Sequence, residues 1–296
     1  MTEEIRQRIF VVGVPRSGTT LVQSLLAAHG EVASWTESHF FRRLFRPVPG
    51  LPSQALLVSD PDAAVREFLQ TNEALWEDDE EISWRHDPLP WWRRLPLVRS
   101  LQGDVTARHL LTIFDDLARC QGRTIWVEKT PAHLRYLPFL ERVASIGPDL
   151  RFIHVVRDGR EAVASLHNAS KHWQRPYGVD ECVRRWNHDI ALSLARVGSP
   201  RDHFVVYEDL TADPEAGTRR LLAELGLPWQ PDVVKRHGEA LSHVTAPGET
   251  AWKAGGERSI RPSATSREVL TEEQLHRVDE TLRHDLYQQL CQRVPT

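Results

Sequence analysis

Cysteine is scarce in this chain of 296 residues, which has three of them, Cys120, Cys182 and Cys291, set far apart. The odd number and wide spacing exclude a disulfide-stapled scaffold and a cysteine metal site, and they predict a reducing compartment. Long apolar runs are lacking too, so we expect no segment that spans a bilayer. The first residues, MTEEIRQRIF, are charged and do not resemble a signal peptide. We therefore expect a cytoplasmic protein with no membrane partner.

An excess of charge of either sign is also lacking, because the formal net charge is −4 at pH 7. This balance gives no case for nucleic acid as a partner, since such binding usually requires a basic surface. Basic residues are therefore expected to act locally, inside a site. Hydrophobic residues make up 41% and charged residues 26% of the chain, as in an ordinary globular protein.

Four apolar runs rich in β-branched residues predict buried strands, at Ile9–Val12, Thr124–Val127, Phe152–Val156 and Phe204–Val206. Helical patterns lie between or after these runs, at Thr19–Ala28, Arg108–Ala118, Arg160–Ala169, Cys182–Arg196 and Glu215–Leu225. Strands that alternate with helices predict the α/β class, with a parallel sheet flanked by helices. The ligands of such sheets bind beyond the carboxyl ends of the strands.

The segment 41–105 differs from the rest in composition. It is rich in proline and contains four tryptophans, Trp76, Trp84, Trp91 and Trp92. We interpret it as a partly helical insertion, not a sheet layer, within a single domain that spans 1–296. Its tryptophans predict the apolar walls of a ligand pocket, and a packed helical subdomain is the alternative. The tail beyond Thr271 predicts one amphipathic closing helix.

The stretch Ile9–Leu21, IFVVGVPRSGTTL, predicts a phosphate-binding turn. A buried strand stops at Gly13, Pro15 and Gly18 indicate a tight loop, and a helix begins at Thr19. Backbone amides in such a loop, together with the positive end of the helix dipole, point at an anion. The alternative is a strand–turn–helix corner without a ligand, but that corner would not need so many donors.

The spacing of Gly13 and Gly18 matches the P-loop pattern of nucleotide triphosphatases with one departure, because Thr19 stands where that pattern has lysine. Without the lysine we do not expect hydrolysis of a triphosphate. Arg16 supplies the positive charge instead, and its planar fork suits phosphate or sulfate oxygens. The run PRSGTTL after a buried strand resembles the 5′-phosphosulfate loop of sulfotransferases that use 3′-phosphoadenosine 5′-phosphosulfate, most closely the tyrosylprotein sulfotransferases and their bacterial relatives.

That resemblance implies a P-loop nucleotide-kinase-like sulfotransferase fold with a helical insertion, no metal, and adenosine 3′,5′-bisphosphate as the product of the donor. It assigns the 5′-phosphosulfate to the loop residues Arg16, Ser17, Gly18, Thr19 and Thr20. In this family an arginine and a serine eight residues later hold the 3′-phosphate, and Arg157 and Ser165 have that spacing after the strand Phe152–Val156. On its own, Arg157 would rather be interpreted as a surface partner of Asp158 or Glu161.

Lys129 follows another predicted strand, at the position where the family has a cation near the oxygen that leaves sulfur. A positioned ammonium stabilises the charge that develops on this oxygen in the transition state. The alternative is an ion pair with Glu128, which we do not expect because neighbours in a strand point to opposite faces. Glu37 stands 21 residues after Arg16, where the tyrosylprotein enzymes have the glutamate that accepts the acceptor's proton. A surface glutamate is the alternative there.

Three further residues carry weaker signals. His133 follows Lys129 by four positions and is the second candidate for the base, with a capping histidine as the alternative. Tyr207 starts a Tyr-Glu-Asp-Leu run that the family often places near the adenine. Lys253 belongs to a basic, glycine-containing loop of the kind that closes over the 3′-phosphate in sulfotransferases.

Taken together, these motifs predict transfer of a sulfuryl group to a hydroxyl acceptor. In the tyrosylprotein pattern Thr36 would be glutamate and His39 would be arginine, which disfavours a peptide tyrosine. We expect a small molecule of bacterial secondary metabolism as acceptor, and an alcohol or phenol, a sugar, a lipid and a peptide all stay open. The insertion 41–105 would then cap the acceptor. A P-loop kinase or phosphotransferase, which would need magnesium, is one alternative, and a catalytically silent nucleotide-binding protein is another. The oligomeric state is left open, with a homodimer as one option.

Overall fold

The computed structural model describes residues 4–72, 96–246 and 260–294. Its strands, in chain order, are β1 Gln7–Gly13, β2 Val32–Ser34, β3 Phe45–Val48, β4 Leu51–Leu57, β5 Ile125–Lys129, β6 Asp149–Val156 and β7 Asp202–Val206. Five of these strands are parallel and form the central sheet, in the order β2-β5-β1-β6-β7. The predicted parallel sheet is therefore confirmed, and all four predicted strands belong to it.

Helices surround this sheet. Those within the described ranges are α1 Thr19–Ala27, α2 Phe40–Leu44, α3 Pro61–Thr71, α4 Pro96–Cys120, α5 Leu137–Val143, α6 Gly159–Ser170, α7 Val179–Leu194, α8 Tyr207–Ala212, α9 Pro214–Glu224, α10 Val233–His243, α11 Ser266–Val269, α12 Glu272–Thr281 and α13 His284–Arg293, with a 3₁₀ helix at Pro131–Tyr136. None of them combines the length and the apolar character that a membrane crossing requires.

Strand β1 lies between β5 and β6, and its alternating side chains divide the core into two layers. Phe10 and Val12 join an aromatic cluster with Trp126, under α4, α5 and the β3–β4 hairpin. Ile9 and Val11 face the opposite cluster, under α1, α9 and α10. Because β1 is covered on both faces, its sequence is a continuous apolar run. Its buried position fixes where the loop after Gly13 emerges, at the carboxyl edge of the sheet.

Two strands, β3 and β4, lie inside the segment 41–105, where no sheet was expected. They pair antiparallel, with Pro47 opposite Ala55. Proline is tolerated there because a two-stranded ladder leaves one edge of each strand unpaired. The hairpin packs on α4, which begins at Pro96 and is much longer than the predicted helix Arg108–Ala118. The tryptophans Trp76, Trp84, Trp91 and Trp92 lie outside the described residues.

The tail beyond Thr271 forms two helices rather than the single predicted one. The break falls at Leu282, whose extended backbone (φ −69°, ψ 137°) takes the chain out of α12 and buries its side chain against Gly159. Asn187 of α7 stabilises the break, because its side chain donates to the Thr281 carbonyl at 2.9 Å and accepts from the Arg283 N–H at 2.8 Å. An amphipathic pattern alone does not reveal this partner in another helix.

Candidate active site

Two glycines fix the loop between β1 and α1, because their neighbours leave no room for a side chain. A Cβ atom at Gly13 would lie 2.3 Å from the carbonyl oxygen of Val155, and one at Gly18 would lie 2.4 Å from the ring of Tyr207. Both glycines also have positive φ, 141° and 92°. Gly13 is thus required by its contact with β6, and Gly18 is required by its contact with Tyr207.

In the described part of the chain, no side chain caps the first amides of helix α1. Its N-cap is Gly18, which has no side-chain acceptor to offer the first turn, and Thr19 and Thr20 line a large cavity. Ser17 is fully buried, its N–H donates to the Val14 carbonyl at 3.2 Å, and its hydroxyl has no hydrogen-bond partner among the described residues. The amides and the dipole at this end of α1 are therefore available to an anion.

Arg157 follows β6 directly and is almost completely buried. One guanidinium nitrogen donates to the Arg16 carbonyl at 3.0 Å, and another donates to the Ser263 carbonyl at 2.5 Å. The guanidinium lies over the ring of Tyr207, 4.4 Å from its centroid. Its Nε is buried without a partner in the part of the chain that the structure describes, so one donor of a fixed arginine is left over.

Ser165 lies on α6, and its hydroxyl accepts from Arg16 Nε at 3.4 Å. The two predicted anion-binding elements, one after β1 and one after β6, therefore meet. Arg157 does not form the alternative ion pairs with Asp158 or Glu161. Asp158 instead caps α6 through the amides of its first turn, and Glu161 accepts from the backbone and hydroxyl of Ser266.

Tyr207 begins α8 immediately after β7 and lies between the loop glycine Gly18 and the guanidinium of Arg157. The next residue, Glu208, accepts from the Asp158 N–H at 3.0 Å and from the Tyr287 hydroxyl at 2.9 Å. Glu208 thus connects the ends of β6 and β7. This connection gives the ring of Tyr207 a defined position beside both anion-binding elements.

Lys129, the last residue of β5, has a completely buried side chain that donates to Glu37 Oε1. Glu37 is 18% exposed and lines the cavity. The two residues are 92 positions apart in sequence, and the fold brings them into direct contact. Glu128 points to the opposite face of β5 and does not pair with Lys129, as the alternation of a strand predicts.

Glu128 is fully buried and accepts hydrogen bonds from Ser38, Thr130 and His133. Burial by itself would raise the pKa of Glu128, but the electrostatic attraction of the His133 ring and the hydrogen bonds from all three partners outweigh it and lower the pKa to about 2. His133 is also completely buried, and its Nε2 accepts from the Phe41 N–H at 3.3 Å. His133 therefore faces Glu128 and Phe41 rather than the cavity, and its role as a base stays a prediction.

His39 completes this end of the site. It is the N-cap of α2, in the left-handed conformation with φ 55°, and its Nδ1 lies 3.5 Å from Glu37 Oε2. Burial lowers the pKa of His39, and the opposing attraction of Glu37 does not offset this effect. The imidazole is therefore neutral at pH 7. In the sequence, this histidine stands out only because it occupies the arginine position of the tyrosylprotein pattern.

All these elements border one cavity of about 1020 Å³. The predicted site residues on its wall are Arg16, Gly18, Thr19, Thr20, Glu37, Arg157, Ser165 and Tyr207. Ser17 and Lys129 lie behind the wall, and Lys253 lies outside the described residues. Within the described ranges, no cluster of three His, Cys, Asp or Glu side chains has a metal-binding arrangement.

The connection between α6 and α7 supplies a wall that sequence reasoning missed. Trp173, Arg175 and Tyr177 line the cavity, and the two aromatic rings meet edge to face with centroids 5.4 Å apart. His167 of α6 fixes the connection by contacting the Tyr177 carbonyl at 2.8 Å. A signal was present, because two aromatic residues flank an arginine shortly after Ser165. From the described part of the segment 41–105, Arg42 reaches the cavity.

Comparisons with known proteins find sulfotransferases. The model of the sulfotransferase family matches residues 8–231. The protein-tyrosine sulfotransferase of Drosophila melanogaster is 26% identical over 86% of this chain and 44% of its own length. Protein-tyrosine sulfotransferase 1 of Danio rerio is 26% identical over 86% of this chain and 62% of its own length. The chain thus spans about half the length of these curated relatives.

Solved structures show the same fold. The sulfotransferase domain of the curacin biosynthetic pathway covers 99% of this chain and 100% of its own, with a TM-score of 0.55 and 17% identity. The sulfotransferase domain of the olefin synthase of Synechococcus PCC 7002 covers 94% of this chain and 95% of its own, with a TM-score of 0.56 and 17% identity. A mouse sulfotransferase crystallised with PAP covers 93% of this chain and 82% of its own, with a TM-score of 0.52 and 10% identity.

Proposed function

The chain belongs to the sulfotransferase family, and from this premise we propose that it transfers a sulfuryl group from 3′-phosphoadenosine 5′-phosphosulfate to an acceptor hydroxyl. The observation that carries the proposal is the hydrogen bond from Arg16 Nε to Ser165 Oγ, which joins two anion-binding elements on one cavity wall. Two anion sites side by side suit a nucleotide that is phosphorylated at both the 3′ and the 5′ positions.

The residues present fit this nucleotide. The buried Nε of Arg157 and the buried hydroxyl of Ser17 have no hydrogen-bond partner among the described residues, and such groups are normally satisfied. The uncapped first turn of α1 offers further donors. Arg16, Thr19 and Thr20 would hold the 5′ end, whereas Arg157 and Ser165 would hold the 3′-phosphate. Tyr207, packed under the guanidinium of Arg157, would lie beside the nucleoside.

The donor, when bound, supplies an activated sulfuryl group, and the chain contributes charge and a proton acceptor. Arg16 and the loop amides bind the anion and orient it for in-line attack. Lys129, whose buried ammonium lies behind the cavity wall and contacts Glu37, would stabilise from there the negative charge that develops on the leaving oxygen. Proton removal from the acceptor hydroxyl is assigned to the end of the cavity that holds Glu37.

We propose a small-molecule hydroxyl acceptor. The replacements Thr36 and His39 beside Glu37 support this choice, because the tyrosylprotein pattern has charged side chains at both positions. A protein tyrosine is the second candidate, since the relatives with similar sequences carry the name protein-tyrosine sulfotransferase. Bacterial secondary metabolism, a cytoplasmic location, a homodimer and an acceptor-binding cap formed by 41–105 stay predictions.

A transfer assay with 3′-phosphoadenosine 5′-phosphosulfate tests the proposal. Purified protein is incubated with panels of phenols, alkyl alcohols, sugars and tyrosine peptides, and products are analysed by mass spectrometry for the addition of one SO₃ unit. Turnover of any acceptor supports the proposed activity, and the productive panel identifies the acceptor class. Transfer of phosphate from ATP in the presence of magnesium would favour a kinase. Nucleotide binding without any turnover would favour a silent binding protein.

A further inference from the structure

His39 has a backbone conformation that few residues adopt and a contact that holds it there. Its φ of 55° lies in the left-handed region, where Asn, Asp and His are the usual non-glycine residues. Its N–H donates to the Thr130 hydroxyl at 3.2 Å, and this hydroxyl donates in turn to Glu128 at 2.7 Å. The buried Glu128 thus fixes the backbone of His39, and the imidazole points toward Glu37.

The imidazole is more open to the cavity than the carboxylate beside it. Nδ1 is buried without a hydrogen bond to any described residue and lies 3.5 Å from Glu37 Oε2, whereas the side chain as a whole is 36% exposed and lines the cavity. Glu37 is 18% exposed, and its other oxygen accepts from the buried ammonium of Lys129. Both oxygens of Glu37 therefore face nitrogen atoms of the protein, and the remaining imidazole nitrogen, Nε2, has no hydrogen-bond partner within the described ranges.

We propose that His39 is the group that takes the proton from the acceptor hydroxyl, and that Glu37 is a positioning residue that accepts from Nδ1–H of His39. This inference rests on the proposed function and adds the identity of its base. Glu37 holds the tautomer whose Nε2 carries a lone pair, and it stabilises the imidazolium that forms. Lys129 holds Glu37 in place through its hydrogen bond to Oε1. The distance of 3.5 Å between Nδ1 of His39 and Oε2 of Glu37 would shorten when the acceptor binds in the cavity.

The basicity of the two groups favours His39. A carboxylate in contact with a buried ammonium is a weak base, because the neighbouring positive charge favours its charged form. An imidazole has an ordinary pKa of about 6.5, closer to neutral pH than that of a carboxylate at about 4.3. The groups that face His39 are Glu37 and Glu128, which raise its pKa, and His133 and Lys129, which lower it together with burial. The result is a neutral imidazole at pH 7.

The step balances as follows. The O–H bond of the acceptor breaks as its oxygen forms a bond to sulfur, and the proton goes to Nε2 of His39. The bond between sulfur and the bridging phosphate oxygen breaks, and its electron pair leaves with the bisphosphate. The imidazolium then releases its proton to solvent, and the site is regenerated.

Replacement of His39 by asparagine tests this assignment, because asparagine tolerates positive φ and cannot act as a base. At saturating donor with an alkyl alcohol as acceptor, we expect kcat to fall about 10²–10⁴-fold. In the wild type, kcat should rise with pH through the lowered pKa of His39. This rising limb of the pH–rate profile should be absent in His39→Asn. The double variant Glu37→Gln/His39→Asn should be about as slow as either single variant, because the two residues act as one unit.

Three measurements separate the alternatives. His243→Asn, an exposed histidine at the end of α10, is the matched control and should keep the wild-type rate and pH profile. Calorimetry with adenosine 3′,5′-bisphosphate should give equal affinities for His39→Asn and the wild type. If both His39→Asn and His39→Gln lose this affinity, the role of His39 is structural and the proposal is wrong.

The proposal and the proposed function fail in different ways. The wild-type protein could transfer sulfuryl groups while His39→Asn shows the same kcat and the same pH dependence. This result would support the sulfotransferase activity and would identify Glu37, not His39, as the base. A wild type that transfers no sulfuryl group to any acceptor would overturn both. Loss of the pH limb together with an intact nucleotide affinity is the result expected from a His39–Glu37 pair.

Discussion

Arg157 donates a hydrogen bond across 3.0 Å to the backbone carbonyl oxygen of Arg16. The contact ties the first residue after β6 to the middle of the loop after β1. Because Arg16 reaches from the same loop to Ser165, the two anion-binding elements form one connected unit. We therefore expect a ligand with two negatively charged groups to engage both elements.

We expect adenosine 3′,5′-bisphosphate to bind at least about tenfold more tightly than AMP, because a hydrogen bond to a charged group contributes about 1.5–3 kcal/mol. Replacement of Arg157 by lysine should remove most of this preference, since lysine lacks the planar fork that Arg157 directs through its free Nε. Titration calorimetry with both nucleotides measures the effect.

The control for this variant is Arg151→Lys on the same strand, where the arginine pairs with Asp149 at the surface. It should bind both nucleotides like the wild type. Equal affinity of the wild-type protein for AMP and for the bisphosphate would contradict the assignment of a 3′-phosphate site.

Gly18→Ala should destabilise the fold and abolish nucleotide binding, because the added methyl group overlaps the ring of Tyr207 at a positive φ. Gly122→Ala is the matched control, since Gly122 also has positive φ (61°) but has nothing within 4 Å. We expect thermal unfolding to show a loss of about 1 kcal/mol for the control, from the backbone alone. Gly18→Ala should lose about 1–3 kcal/mol more, from the overlap. If both variants lose the same free energy of unfolding, the ring of Tyr207 moves away from the added methyl group without cost.

The sequence predicts the sheet, and the strand ends at which the candidate site residues lie, for a physical reason. Strands of a parallel sheet covered on both faces are continuous apolar runs, and their ends are marked by the polar residues that follow them. Lys129, Arg157 and Tyr207 were found in this way. Strand β2, Val32–Ser34, was missed because three residues are too few to show a pattern.

Contacts between segments that are far apart in the chain could not be predicted from the sequence. Glu37 and Lys129 are separated by 92 positions, and the parallel pairing of β2 with β5 brings them together. The choice of base depended on the same geometry, because a histidine near a catalytic strand can be buried or exposed. His133 is enclosed by Glu128 and Phe41, whereas His39 is turned toward the cavity by its left-handed backbone.

Stability at acidic pH should depend on Glu128. Its pKa in the folded protein, about 2, lies below the ordinary value of 4.5, so its charged form is favoured by folding. The contribution is fully present above pH 4.5 and is lost as the pH falls toward 2. Glu128→Gln should lower the free energy of unfolding at pH 7 by roughly 3 kcal/mol and flatten its pH dependence in this window.

Chemical denaturation between pH 2 and pH 7 measures this prediction. Glu67→Gln serves as the control, because Glu67 is an exposed partner of Arg43 and such surface pairs contribute little. A Glu128→Gln variant that keeps the wild-type slope between pH 4.5 and pH 2 would refute the assignment.

Transfer should proceed at the same rate in the presence of EDTA. The positive charge needed for the two phosphates and the leaving oxygen is supplied by Arg16, Arg157 and Lys129, and Thr19 replaces the P-loop lysine that accompanies magnesium in triphosphatases. Initial rates with EDTA and with added magnesium measure this. Activity that EDTA abolishes and magnesium restores would favour the phosphotransferase alternative.

Glu37→Gln should lower kcat by about 10²–10⁴-fold and leave the affinity for adenosine 3′,5′-bisphosphate nearly unchanged. The amide keeps the shape of the side chain but can neither take a proton nor stabilise an imidazolium on His39. Glu31→Gln, at a surface glutamate paired with Arg6, is the control and should retain the wild-type kcat. The acceptor should be an alkyl alcohol, because a phenol of low pKa needs less help from a base.

His133→Asn is the informative contrast to Glu37→Gln. His133 is completely buried against Glu128, so its loss should reduce the free energy of unfolding and change the kcat of the folded protein little. Thermal unfolding and steady-state rates, measured on both variants, separate the two effects. A His133→Asn protein with wild-type stability and no activity, beside an active Glu37→Gln protein, would transfer the proton-accepting role to His133. The geometry argues for the reverse, because Glu37 and His39 line the cavity and His133 does not.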